Sequence, residues 1–208
     1  MTIRKGGIPL DKYVITISRQ FASMGRTIAQ LMSEELNIEF YDRDIVEEAS
    51  RRMGQDIQYI SEVEENGGNI FAKRKFPLGM GLISIQNETF QVQSEIIRDF
   101  ASADKPSCII VGRCADFVLK NHPRILNIYI FAPYETRLKN CVEQLGMDEK
   151  TGKSMIQQVD HARETYRLRY CDGVHTVLDH RDLLIDSSKF GPEKTAHILC
   201  GSVREIFG

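Results

Sequence analysis

The chain has 208 residues and a mass of 23.8 kDa, enough to bury a substantial core without disulfides or metals. Apolar residues make up 42% and charged residues 27%, which disfavours disorder, collagen-like repeats and a coiled-coil rod. With 27 Lys and Arg against 29 Asp and Glu, the net charge of -2 offers no general attraction for a nucleic-acid backbone, so any anion site is local.

No apolar run approaches the roughly 18 residues of a membrane span. The opening MTIRKGGIPLDKY carries charge but lacks the apolar stretch of a secretory leader. A cytoplasmic protein with no membrane partner is expected. Cys108, Cys114, Cys141, Cys171 and Cys200 are odd in number and contain no CxxC pair, so neither a disulfide framework nor a zinc site is indicated. Buried thiols are the simple expectation.

In chain order, YVITIS (Tyr13 to Ser18) reads as a strand, SRQFASMGRT as a polar loop, and RTIAQLMSEEL as a helix with Ile28, Leu31, Met32 and Leu36 at helical spacing. IEFYD (Ile38 to Asp42) is a second short strand and DIVEEASRRMG a helix stopped by Gly54. From Asp56 to Asp104 two helical patterns surround a Gly- and Lys-rich loop, NGGNIFAKRKFPLGMGL. Its Lys73, Arg74 and Lys75, beside Phe71 and Phe76, read as an exposed loop.

SCIIVG (Ser107 to Gly112) is a third strand, buried on both faces because its apolar run is continuous, and ADFVLKN follows as a helix. ILNIYIFA (Ile125 to Ala132) is a fourth strand, with Pro133 as the first helical residue of PYETRLKNCVEQLG. Asp148 to Cys171 is a long polar helix with little to bury, expected to stand off the core. DLLIDSS is a fifth strand and PEKTAHILCGSVREIF a last helix. Strands alternating with helices predict βαβ units and a mostly parallel sheet covered on both faces.

In such a sheet, ligands bind outside the carboxyl ends of the strands, where the first strand-to-helix turn presents N–H groups to an anion. Laid over the phosphate-loop pattern GxxxxGK[ST], that turn runs from Gln20 to Thr27. Gly25 and Thr27 match, Arg26 replaces the lysine and Gln20 the first glycine. Arg113, just past the third strand, could grip a phosphate bidentately, and Arg137 lies one turn into the next helix. On the long polar helix Asp160, Arg163 and Arg167 form one stripe. Its alternative reading is a solvated face with an ion pair worth about 0.3 kcal/mol. His122, His161, His175, His180 and His197 make no i, i+4 pair, and no serine sits in GxSxG, so metalloenzyme and acyl-transfer chemistry lack support.

The order of these features, with ITISRQF..MGRTIAQLMSEELNIEFYDRDIV, GRCADFVL, IYIFAPYETRLKNCVEQL and LLIDSSKFGPEKTAHIL, resembles the P-loop nucleoside monophosphate kinases, and more narrowly the cytidylate kinase-like proteins. The resemblance covers about Val14 to Ile206. It implies a single three-layer α/β domain over 1–208: a P-loop kinase-like core (12–41, 104–147 and 172–208) with a mostly parallel five-stranded sheet, an acceptor-binding helical insert at about 42–103 and a mobile lid at about 148–171. It also implies transfer of the ATP γ-phosphate, with Mg²⁺, to a small nucleotide or phosphorylated acceptor such as CMP, by a monomer or homodimer.

Residue by residue, the resemblance assigns Ala22, Ser23, Met24, Gly25, Arg26 and Thr27 to the phosphate loop, joined by Arg137, with Thr27 as magnesium ligand. Asp42, Arg43 and Arg113 fall to the acceptor, and Arg26, Arg163, Arg167 and Asp160 to catalysis. The chain departs from the family at Ala22 and Met24, where glycine is usual, and at Val111 and Cys114, which flank Gly112 and Arg113 where cytidylate kinases carry acids. A non-glycine residue in the left-handed region costs roughly 1 to 2 kcal/mol, which points to a differently shaped loop. A catalytically degenerate module that binds a nucleotide or phosphometabolite as a sensor is the alternative.

Overall fold

A computed structural model describes residues 12–58, 80–171, 176 and 178–208. The Lys73 to Lys75 cluster and the first of the two helical patterns after Asp56 fall largely or wholly outside them. Five strands form one sheet: β1 (Val14–Arg19), β2 (Glu39–Tyr41), β3 (Cys108–Val111), β4 (Ile125–Phe131) and β5 (Leu183–Asp186). Their order is β2-β3-β1-β4-β5 and every pairing is parallel. The chain leaves β1 toward β2 on one side and later returns to add β4 on the other, so the order reverses at β1. The crevice at its carboxyl end is the topological switch point of the sheet.

The helices are α1 (Gly25–Leu36), α2 (Asp44–Met53), α3 (Met80–Phe100), α4 (Ala115–Val118), α5 (Tyr134–Glu143), α6 (Glu149–Tyr170) and α7 (Gly191–Phe207). Alternate residues of the strands feed two cores. Ile15, Ile17, Ile109, Val111, Ile128 and Ile130 pack with Ile28 and Met32 of α1 and Leu199 and Val203 of α7. On the other face Val14, Cys108 and Ile110 meet Ile45 and Ala49 of α2, Ile96 and Ile97 of α3, and Leu119. Three layers result because both faces of each central strand are apolar and each needs a cover. Burial of each such Ile is worth about 1.5 to 3 kcal/mol.

Three elements differ from the sequence expectation, each for a local reason. The helix at ADFVLKN stops after Val118, where Leu119 leaves helical backbone at φ -104°, ψ 16° and caps the turn with its N–H on the Ala115 carbonyl. Pro133 is the N-cap of α5 rather than its first residue, extended at ψ 149°, with its carbonyl accepting from Arg137 N–H at 3.0 Å. Helix α6 does not stand wholly off the core. Gly152 and Ile156 are its buried residues, and a Cβ at position 152 would lie 2.9 Å from Cys141 Cβ and 3.3 Å from Leu138 Cδ1. Glycine thus lets a polar helix approach α5 closely, which an apolar periodicity does not reveal. Asp148 caps α6 by accepting from Thr151 N–H at 2.9 Å.

Candidate active site

The turn after β1 is held from several sides. Gln20 N–H donates to Ile130 carbonyl oxygen at 3.0 Å, and Ala132 N–H donates to Gln20 Oε1 at 3.1 Å. Gln20, standing where the motif has its first glycine, ties the loop to β4. The buried Ser23 donates its hydroxyl to Gln20 and Ile130 carbonyls, and Ser187 Oγ–H reaches the Ser23 carbonyl at 2.8 Å. Asn140 on α5 donates to the Ala22 carbonyl at 2.8 Å. The sequence reading did not single out Gln20, Asn140 or Ser187 as loop anchors. Side chains that brace a loop from distant elements leave no spacing signal.

Ala22 and Met24 both lie in the left-handed region, at φ 57° and φ 61°. The loop therefore adopts glycine-like backbone at both positions despite their side chains, correcting the expectation of a different shape. The strain, about 1 to 2 kcal/mol each, persists because the surrounding bonds over-determine the turn. Met24 then serves as N-cap of α1 with no side-chain hydrogen bond and no acid in the first turn. The positive end of the helix is left open to an outside anion. Gly25 is required by closeness, since a Cβ there would meet Arg19 Cβ at 2.7 Å and Cγ at 2.9 Å.

Around this turn the structure gathers arginines and two carboxylates. Asp42, buried just past β2, lies 3.0 Å from Arg26 Nε and 3.4 Å from Arg19 Nη2. Asp160 on α6 accepts the Phe21 N–H at 2.7 Å and pairs with Arg137, which is buried and also reaches the Phe21 carbonyl at 3.3 Å. Arg163, one turn along, donates to the Arg19 carbonyl at 3.0 Å. Burial lowers the pKa of Arg19 and of Arg163, and Arg113, at φ 55° in the run Gly112, Arg113, Cys114, lies close enough to lower each further. Asp42, Asp160, Arg26, Arg113, Arg137 and Arg163 thus converge on the phosphate loop.

Arg43 and Arg167 do not join them. Arg43 is exposed at the N-cap of α2 and takes no part in these contacts. Arg167 turns to Asp116, 1% exposed, at 2.7 Å, and donates to the Asp179 carbonyl at 3.0 Å. Arg181 approaches the same carboxylate at 3.8 Å while lying over the Tyr129 ring. Position alone places Arg167 on the stripe with Arg163, but a buried acid in α4, just after β3, decides where its guanidinium goes.

Metal fit is limited but real. Among the described residues no group of three or more His, Cys, Asp or Glu could hold an ion. Mg²⁺ needs no such cage, since it takes one or two protein ligands and completes its shell with phosphate oxygens and water. Thr27 is exposed in the first turn of α1, and Asp42 supplies a carboxylate beside Arg26. Asp116, buried after β3, is enclosed with Arg167 and Arg181.

These features match a family model described as the cytidylate kinase-like family over residues 14–189. The chain belongs to the cytidylate kinase-like family. Among solved structures, an uncharacterized protein from Eubacterium ventriosum is 23% identical, with a TM-score of 0.68 over 93% of this chain and 99% of its own. Shikimate kinase from Acinetobacter baumannii, in complex with shikimate, is 14% identical, with a TM-score of 0.52 over 93% of this chain and 94% of its own. A sugar kinase from Janibacter is 14% identical, with a TM-score of 0.53 over 94% and 95%. These likenesses establish the P-loop kinase fold. No curated protein matches the chain. No described helix is long and apolar enough to cross a membrane.

Proposed function

We propose that this cytidylate kinase-like protein is an ATP-dependent phosphotransferase that moves the γ-phosphate to a small acceptor such as a nucleoside monophosphate. The observation that carries this reading is a strand-to-helix turn of phosphate-loop backbone onto which arginines from β1, α1, α5 and α6 converge. Phosphoryl transfer passes through a loose, highly charged transition state that needs positioning and positive charge rather than a covalent partner. Backbone N–H groups from Ala22 to Thr27 hold the donor phosphates. Thr27 and Asp42 would hold Mg²⁺, which neutralises phosphate charge when bound. Asp42 and Arg113 orient the acceptor, while Arg26 and Arg163 supply charge at the transferring group. Asp160 and Arg137 fix the loop and α6 against each other.

One observation favours a second reading. Arg26, in the lysine position, is engaged by Asp42 at 3.0 Å, as expected of a module that binds a phosphorylated metabolite without turning it over. ATP consumption with Mg²⁺ across a panel of nucleoside monophosphates, headed by CMP and dCMP with ATP alone as blank, separates the two. Acceptor-dependent ADP production is the expected result. Binding of ATP with turnover at the blank for every acceptor would instead establish the sensor.

A further inference from the structure

Arg19 ends β1 and lies outside the phosphate-loop motif, yet the site is built around it. Its side chain is 17% exposed. The stem lies against Gly25, and the guanidinium occupies the space that a side chain at Gly112, φ 80°, would need. Two glycines in separate turns are thus cleared for one arginine. Its carbonyl receives Arg163, and its head approaches Asp42 at 3.4 Å, a loose contact on a carboxylate that Arg26 holds more closely at 3.0 Å.

The charge count around it is unequal. Arg19, Arg26, Arg113, Arg137 and Arg163 surround the carboxylates of Asp42 and Asp160, so that cations outnumber anions among these seven groups. Burial, then the neighbouring Arg163, Arg113 and Arg26, push the pKa of Arg19 down to about 9 against the opposing pull of Asp42. A guanidinium still keeps its proton at neutral pH, so this penalty is not relieved by deprotonation. A buried cation crowded by like charges is a standing cost that a fold kept for stability alone would shed.

We infer that Arg19 is an anion-holding residue, its guanidinium poised between the phosphate loop and the Gly112–Arg113 turn to take a doubly charged tetrahedral oxyanion, a phosphoryl group. The anion offsets the surplus of positive charge, and the planar fork donates to two of its oxygens at once. This rests on the phosphotransferase reading for the identity of the group, and gives Arg19 the central cationic position that the motif reserves for lysine.

The test measures melting temperature in sodium phosphate against sodium chloride at equal ionic strength, for the wild type, Arg19→Met and Arg19→Lys, beside turnover with the best acceptor. Phosphate should raise the wild-type melting temperature above the chloride control. Arg19→Met should melt in chloride no lower than wild type, since it removes a crowded buried charge, and should lose the phosphate shift. Arg19→Lys should keep part of it, with the half-saturating phosphate concentration raised about tenfold by loss of the fork.

A purely structural arginine predicts the reverse: Arg19→Met melting well below wild type in chloride, with its phosphate shift intact. That result, or no phosphate shift in the wild type, overturns the inference. If Arg19→Met does not fold, an unaltered phosphate response in Arg19→Lys overturns it equally. Loss of the phosphate shift with no turnover for any acceptor would keep Arg19 and sink the kinase; normal turnover in Arg19→Met would do the opposite.

Discussion

At the scale of single residues, the phosphate loop shows how a structure can keep a glycine conformation without glycines. Ala22 at φ 57° and Met24 at φ 61° are held by bonds from Asn140, Ser187 and Asp160, each from a different element. If that bracing stores strain at Ala22, Ala22→Gly should relieve about 1 to 2 kcal/mol in the folded chain while adding about 0.4 to 1 kcal/mol of unfolded-state entropy. The expected outcome is a gain of about 0.5 to 1 kcal/mol in urea denaturation, and a loss of stability would show that Ala22 is not strained. Gly25 and Thr27 could be singled out because the pattern names residue types at fixed spacing, and Arg26 because it stands in the lysine position. Arg19 was not, because what distinguishes it is space cleared at Gly25 and Gly112, and Gly112 lies far away in sequence.

At the scale of elements, β3 was readable from its continuous apolar run, β1 from its β-branched and aromatic residues, and the parallel sheet from the helices between the strands. The role of α6 was only half readable. Its stripe of Asp160, Arg163 and Arg167 follows from periodicity, but the stripe splits: the first two meet the phosphate loop and the third meets Asp116. Asp116 is 1% exposed and lies against both Arg167 and Arg181, while its second oxygen, Oδ1, has no hydrogen-bond partner among the described residues. Removing one partner of a buried pair leaves the other charge uncompensated, at a cost of about 3 to 5 kcal/mol. Asp116→Ala should therefore lose stability of that order in urea denaturation. Arg167→Met in the Asp116→Ala background should recover part of it. A cost below about 1 kcal/mol for Asp116→Ala would mean that solvent or relaxation already screens the cluster.

At the scale of the whole molecule, the sheet order sets what a ligand can couple. The carboxyl end of β1 is the one place where the phosphate loop, the turn after β3 and the middle of α6 meet, and each brings its own charge. Arg163 and Asp160 tie α6 to the end of β1 and the loop after it, while Gly152 packs α6 on α5. ATP with Mg²⁺ at about 100 times its Kd should add about 2.7 kcal/mol of stability, a rise of about 5 to 10 °C for a chain of this size. In Arg163→Ala, which lacks the guanidinium joining α6 to the end of β1, the same free ATP concentration should give a smaller rise. The difference between the two rises measures what α6 contributes to holding the nucleotide. Equal rises would confine the donor site to the turn after β1 and leave α6 to act only on the acceptor or on water, so that Arg163→Ala would lower turnover without weakening ATP binding.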